Sequence, residues 1–282
     1  MWKVSPLALV LWGLLPNPAS SIEIKNVRST YGPVAVDRAG NQPTLGGALR
    51  TDKKIMAGDF IYLMFDIDGL KVDPKSGQAK YELSYALVDK NDKVVVKGET
   101  TPLEVRLPLG GTSVPGVASF IIGPEQSPGA YKVKLTVKDR NSKEVKALEY
   151  PFEIIASSFG IGAVVAPAYG VPGQYYMTKF IIAKSALDPK GKTPKVEIKM
   201  RVLDEAGKEL GTPILKRYPK ELPDGLDLQK NNFVPEYFQV YLNRPGQFTI
   251  ALDAEDKIGN RKASIRIPLT VLDLAKFGVE SK

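Results

Sequence analysis

In SPGAYKVKLTVKD, residues 127–139, apolar side chains recur at every second position. Tyr131, Val133, Leu135 and Val137 fall on one parity, and Lys132, Lys134, Thr136 and Lys138 on the other. Successive side chains of a strand point to opposite faces, so the pattern predicts a strand with one buried and one wetted face. RPGQFTIALDAED, residues 244–256, repeats the phrase: Pro-Gly, a spacer, an aromatic, alternation, then aspartate. Here Phe248, Ile250, Leu252 and Ala254 take the inward parity. The same period places Tyr81, Leu83, Tyr85 and Leu87 on one face, and Val196, Ile198, Met200 and Val202 on another. Full burial of each large side chain is worth about 1.5–3 kcal/mol. The Pro-Gly pairs suit the central positions of a type II turn, where glycine takes a positive φ. The phrase therefore marks a recurring late strand rather than a site.

Turn signals separate these segments. DKND at Asp89–Asp92 and DEAG at Asp204–Gly207 each follow a predicted strand and precede more strand-like sequence, which predicts antiparallel hairpins. No stretch of useful length carries a helical stripe; Leu272 to Phe277 allows one short turn, and Ser281 and Lys282 are expected to fray. A shift of 115 residues aligns Gly58 with Gly173, Phe65 with Phe180, and Asp73-Pro74-Lys75 with Asp188-Pro189-Lys190. A shift of 117 aligns Pro128-Gly129 with Pro245-Gly246, Asp139 with Asp256, and Pro151 with Pro268. So long a period is that of a duplicated domain, not a solenoid. The expected fold is all-β, with two tandem antiparallel β-sandwich domains related by internal duplication, residues 22–156 and 157–274, and a tail at 275–282. GIGAVV, Gly160–Val165, lacks the third glycine and following helix of a phosphate loop, and is read as the second unit's first strand.

The order of strand, D-K/E-x-x-K hairpin, long connection, P-G-x-aromatic and alternating strand ending in Asp resembles bacterial secreted Ig-like or fibronectin III-like domains. The resemblance runs from about Ile22 to Leu272. It implies an Ig-like sandwich in each unit and implies no activity, because such folds host many functions. Neither unit has the Cys…Trp…Cys core of antibody domains.

Composition narrows the chemistry. The 282 residues contain no cysteine and no histidine. Disulfides, thiolate nucleophiles, Cys-type zinc sites, imidazole ligands and Ser-His-Asp triads are thereby excluded. The N-terminus, MWKVSPLALVLWGLLPNPASSIEIK, has a basic n-region at Lys3, an apolar run from Pro6 to Leu15, and small residues at Ala19-Ser20-Ser21. It reads as a secretory signal peptide over residues 1–21, because the apolar run is broken by Pro16 and Pro18 before the roughly 20 residues that span a bilayer. No cysteine follows for a lipid anchor, and no later segment reads as a span. Removal takes away both tryptophans, Trp2 and Trp12, and lowers the net charge from +8 to +7 by loss of Lys3. Export without cystines points to a bacterial periplasmic or extracellular protein.

The units differ mainly in two long connections. The first has an added segment from Arg28 to Ala57, rich in turn residues and basic side chains; the second has one from Pro213 to Tyr237. Long connections on a rigid scaffold are where binding tends to sit, although loop decoration or an extra edge strand is the plainer alternative. The candidate ligand contacts are therefore Arg28, Arg38, Arg50, Lys53 and Lys54, with Tyr169 as an aromatic contact. Tyr175 could join it in a sugar-stacking platform, whereas Tyr176 shares the inward parity of Phe180 and Ile182. Asp66 and Asp68 share a strand face, but the equivalent residues are Ile181 and Ala183, and no calcium loop surrounds them; they read as strand-end aspartates. Asp89, Asp139, Asp204 and Asp256 read as turn formers.

The expectation is an exported, non-enzymatic binding or scaffolding protein of the bacterial cell envelope, with no cofactor. Its partner is an envelope protein or an anionic polysaccharide rather than nucleic acid, given the positive net charge. A carboxylate-dependent carbohydrate-active or other hydrolytic enzyme, and a purely structural spacer, are the alternatives.

Overall fold

A computed structural model describes residues 21–32, 35–36, 43–44, 46–190, 192–220 and 232–277. Residues 1–20 of the expected signal peptide, Arg38, and the tail beyond Phe277 lie outside the described residues, as do parts of both long connections. The described chain is all-β. Its strands are β1 Glu23–Tyr31, β2 Ala35–Val36, β3 Pro43–Thr44, β4 Ala48–Leu49, β5 Lys54–Met56, β6 Phe60–Asp68 and β7 Val72–Asp73. Next come β8 Gln78–Asp89, β9 Val94–Lys97, β10 Thr101–Arg106, β11 Val114–Ile121, β12 Gly129–Asp139 and β13 Val145–Ile155. Then follow β14 Gly160–Val165, β15 Tyr169–Gly170, β16 Tyr175–Ala183, β17 Val196–Asp204, β18 Glu209–Arg217, β19 Phe233–Tyr241, β20 Gly246–Asp256 and β21 Arg261–Val271. A single 3-10 turn, Leu274–Phe277, ends the described residues. No described helix is long and apolar enough to cross a membrane.

The small sheet of the N-terminal half has the order β11-β6-β1-β4, and its larger sheet the order β10-β8-β12-β13-β5. In the C-terminal half the orders are β19-β16-β14 and β18-β17-β20-β21-β15. Both larger sheets end in a short strand that pairs parallel with its neighbour, β5 on β13 and β15 on β21, while every other pairing in them among the described residues is antiparallel. Each half thus forms a sandwich-like pair of sheets. The alternation in β6 is complete: Ile61, Leu63, Phe65 and Ile67 are buried and their neighbours half-exposed. With Leu87, Tyr131, Val133, Leu135, Val137 and Ile154 from the facing sheet they form one core. Phe180, Ile182, Ile198, Met200, Ile250, Leu252 and Ile267 anchor the other.

The aspartates that close the twin phrases are completely buried. Asp139 accepts the N–H groups of Asn141 at 2.7 Å and Ser142 at 3.2 Å, and its second oxygen accepts that of Lys71 at 2.7 Å. Asp256 does the same for Ile258, Gly259 and, at 3.0 Å, Ala186. One carboxylate therefore shapes a turn and ties it to the chain entering or leaving the opposite sheet. Among the described residues, the Asp89 and Asp204 side chains accept N–H groups within their own hairpins. The aromatic of each phrase opens its strand, but the copies hold it differently. The Tyr131 hydroxyl donates to the Ser127 carbonyl at 2.8 Å and accepts from Gln126 at 2.7 Å. Phe248 instead carries the Arg244 guanidinium 5.0 Å above its ring. The Pro-Gly glycines have φ of 149° and 143° at Gly129 and Gly246, far from the roughly +80° of a type II turn. Glycine is required there, but in a different turn from the one the sequence suggests.

Burial disfavours the charged form of Asp256, yet the N–H groups of Gly259 and Ala186 and the Arg261 guanidinium outweigh it and hold the carboxyl below its usual range. A group with a depressed folded pKa contributes stability that is present above its unfolded value and lost as the pH falls through the folded one. Denaturant unfolding should show this contribution in full above the ordinary carboxylate pKa of about 4 and fading below it. Asp256→Ala should lower stability at pH 7 by about 3 kcal/mol, since several buried N–H donors lose their acceptor, and should flatten the acid limb of the profile. An unchanged acid limb would refute the assignment.

Candidate functional site

The basic residues singled out in the sequence are largely absorbed by structure. Arg28 is half-buried on β1 and donates to the Asn26 carbonyl at 3.0 Å. Arg50 retains only 10% side-chain exposure. It donates to Asp52 at 2.7 Å, to the Lys54 carbonyl at 2.7 Å and to Asp59 at 3.4 Å, with its guanidinium 5.4 Å over the Tyr31 ring. Burial works against the Arg50 charge, but Asp52 and Asp59 outweigh it, so its pKa is raised. Lys53 sits 5.4 Å over the Tyr150 ring, and Lys54 is 3.8 Å from Glu153. Tyr169 is exposed on β15, and no hydrogen bond or ion pair joins it to these basic residues among the described residues. Asp66 accepts from Asn26 at 2.7 Å, and Asp68 from Lys25 at 3.0 Å, as strand-end carboxylates do.

The Arg28–Ala57 segment is a joint. It supplies β4 and β5, so its described part is extra strand rather than loop. The Ala48 N–H donates to Ala166 at 2.7 Å, Ala166 donates to Tyr31 at 3.2 Å, and Ala168 to Gly46 at 2.8 Å. Gly47 pairs with Pro167, and on its own side it runs so close to the end of β1 that a β-carbon would lie 2.4 Å from the Tyr31 carbonyl oxygen. Tyr31 and Ala48 are thereby placed in the second hydrophobic core. Asp59, 5% exposed, locks the arrangement by accepting the N–H groups of Phe60 at 2.7 Å and Ala163 at 2.8 Å.

The outer faces of the sheets then differ sharply. On the larger sheets, cations meet carboxylates: Lys132 and Lys134 share Asp92 and Glu149, and Arg201 and Arg266 share Asp253. The outward positions of β16 and β19 are mostly apolar or aromatic. Cross-strand neighbours pair Tyr175 with Tyr241, Met177 with Gln239, Lys179 with Tyr237, Ile181 with Pro235 and Ala183 with Phe233. Tyr175, Tyr241 and Tyr237 are 67%, 53% and 52% exposed. The first two meet edge to face, with centroids 5.3 Å apart. Met177, Lys179, Ile181, Pro235 and Tyr237 line an open trough of about 360 Å³. Tyr241 and Arg244 border a second hollow of about 210 Å³ at the end of the strand. Tyr176, by contrast, points inward. Its hydroxyl donates to Pro167 at 2.8 Å, and burial pushes its pKa up to about 12.

At the seam beside this face, Glu236 turns inward. It accepts from Lys216 at 2.5 Å and from the Tyr218 hydroxyl, while Lys216 also lies 5.0 Å over the Tyr237 ring. This pins β18 of one sheet to β19 of the other. No group of three or more carboxylates capable of holding a metal occurs among the described residues. Sequence reasoning picked out Tyr175 but missed Met177, Lys179, Tyr237 and Tyr241. The available signal was that YYMTKFIIA and FVPEYFQVY carry large apolar residues on both parities.

No family model matches the chain, and no curated protein does. Among solved structures, a red sea bream transglutaminase aligns at 9% identity and a TM-score of 0.28, covering 90% of this chain and 31% of that one. The superoxide reductase of Ignicoccus hospitalis aligns at 13% identity and 0.29, over 41% of this chain and 82% of its own. A family 123 glycoside hydrolase from Clostridium perfringens aligns at 10% identity and 0.29, over 46% and 28%. At such TM-scores the likenesses bear on neither fold family nor function.

Arg50→Ala should cost about 3–5 kcal/mol of stability, because Asp59 is left buried with its charge partner removed. Thermal unfolding of the variant checks this. A loss under about 0.5 kcal/mol would return Arg50 to the solvated surface side chains.

Proposed function

We propose that the chain is an exported bacterial envelope protein that binds a partner through the outward face of β16 and β19, without catalysis and without a cofactor. In this account residues 1–21 direct export, and residues 22–156 and 157–274 are tandem Ig-like sandwiches derived by duplication. Support for the Ig-like assignment comes from the matching strand orders of the two halves and their parallel edge strands. The Tyr131 hydroxyl closing back on Ser127 adds to it, since a tyrosine corner is common at the start of that strand in such folds. The destination, periplasm or exterior, follows from the export signal and the lack of cysteine.

One observation carries the binding role: three tyrosines, Met177, Ile181, Phe233 and Pro235 form a continuous outward face on two paired strands. Contiguous apolar surface of this kind marks interaction sites, whereas single exposed apolar residues do not. Of the long-segment cations favoured by the sequence, Arg50 is consumed by the joint.

The absence of cysteine makes a direct test simple. Met177→Cys, labelled with an environment-sensitive fluorophore, should shift to the blue when the mature protein meets a solubilised bacterial envelope fraction. Lys262→Cys, on the exposed side of β21, should not. Equal responses at both positions, or none at either, would remove the face from consideration.

A further inference from the structure

Taking this face as the binding surface proposed above, we infer that its occupant is an anionic polysaccharide lying lengthwise along β16 and β19. Shape is the first ground. Nine residues at about 3.4 Å make the stripe roughly 30 Å long, and strands about 4.8 Å apart make it only about 10 Å across the three-stranded sheet. A few hundred Å² falls short of the roughly 800 Å² that each partner contributes to a standard protein interface. A second copy of this chain would be poorly held there, whereas an extended polymer fits.

The strand edge supplies the second ground. A peptide would add as a strand to β19, but Pro235 interrupts the outer hydrogen-bonding edge of that strand. Proline also stands in one outer strand of each other sheet, Pro102 in β10, Pro115 in β11 and Pro213 in β18, so the protein blunts these edges against strand addition. The face is open where the edge is not.

Charge is the third. Lys179 stands between Val165 and Tyr237 in register, and Arg244 lies just past Tyr241. Neither has an ion-pair partner among the described residues. The outward positions of β16 and β19 hold no carboxylate, since Glu236 points inward. At the 115-residue offset, Asp66 and Asp68 of the first small sheet are replaced here by Ile181 and Ala183. Lys179 on an acid-free face, with the Arg244 cation just past its end, favours an anionic partner. The tyrosine hydroxyls and the Gln239 amide add polar tips to flat apolar surface. A sugar ring, with C–H faces and hydroxyl edges, matches that combination better than an acyl chain does.

Affinity electrophoresis of the mature protein tests it, with polygalacturonate, alginate and dextran sulfate as the anionic probes. Methyl-esterified pectin, polyglutamate and phosphatidylglycerol vesicles serve as comparisons. The expected result is retardation by at least one anionic polysaccharide and none by the neutral ester. Tyr237→Ala with Tyr241→Ala, which leaves the net charge unchanged, should weaken it by at least about tenfold, equivalent to about 1.4 kcal/mol. Lys179→Ala should weaken it about fivefold, whereas Lys262→Ala should leave it within about twofold; unfolding midpoints confirm that each variant is folded. Retardation insensitive to the tyrosine pair, tighter binding to polyglutamate or vesicles, or no retardation by any of the three polysaccharides would overturn the assignment. A blue shift of the Met177→Cys label in the envelope fraction, with all three polysaccharides inert, would reject the polysaccharide and keep the face. Silence in both assays would reject both.

Discussion

The carboxylate of Asp59 is the hinge-pin of the molecule. It is nearly inaccessible, and it accepts hydrogen bonds from the chain on both sides of the joint, Phe60 on its own strand and Ala163 on the first strand of the following half. Burying such a group is costly unless its partners are complete. Arg50 completes them, and the Tyr31 ring covers Arg50. Once that cluster is formed, Tyr31 and Ala48 can enter the second core, and β4 can pair with the segment around Ala166. Two sheet pairs that could have been joined by a bare linker are instead welded through side chains of the first that finish the core of the second.

The same segment explains why the two small sheets present different outer faces. Gly46 lies so close over Met64 that a β-carbon would approach its sulfur to 2.6 Å. The joint therefore covers part of the first small sheet, whose remaining outward positions include the hydrogen-bonded acids Asp66 and Asp68. On the second small sheet the equivalent positions are apolar, and the tyrosines stand well into solvent. Leaving so much apolar surface wet forgoes roughly 25 cal/mol for every Å². A stable fold gains nothing from that arrangement, which is what motivates the proposed binding role.

Much of the fold was legible because the alternation was strict. Tyr131, Val133, Leu135 and Val137 are buried as their parity requires, and the twin aspartates close turns as their short side chains allow. The site was not legible for the opposite reason. In YYMTKFIIA both parities are largely apolar, and a strand of that kind reads as buried on two sides. Only the sheet order, with β16 between two strands and, among the described residues, an exposed outer face, shows which parity faces water. Arg50 misled in the other direction. A basic residue in a turn-rich segment reads as surface, and nothing in the spacing announces that Asp59, nine positions later, will fold back onto it.

The edge prolines bring these strands together. Proline in a strand removes a ladder donor and is tolerated only where no neighbour needs it. Pro102, Pro115, Pro213 and Pro235 each lie in a strand that ends one of the four sheet orders, β10, β11, β18 and β19. A protein exposing Tyr237, Tyr241 and Phe233 on one such strand carries an evident risk of pairing with itself. Pro235 is the third residue of that strand, between the exposed Phe233 and Tyr237, and lowers the risk without covering the face. A face kept apolar, a strand edge kept unpairable and two cations kept unneutralised are separate features with separate costs. Packing accounts for none of them, and all three are what the proposed binding role would need.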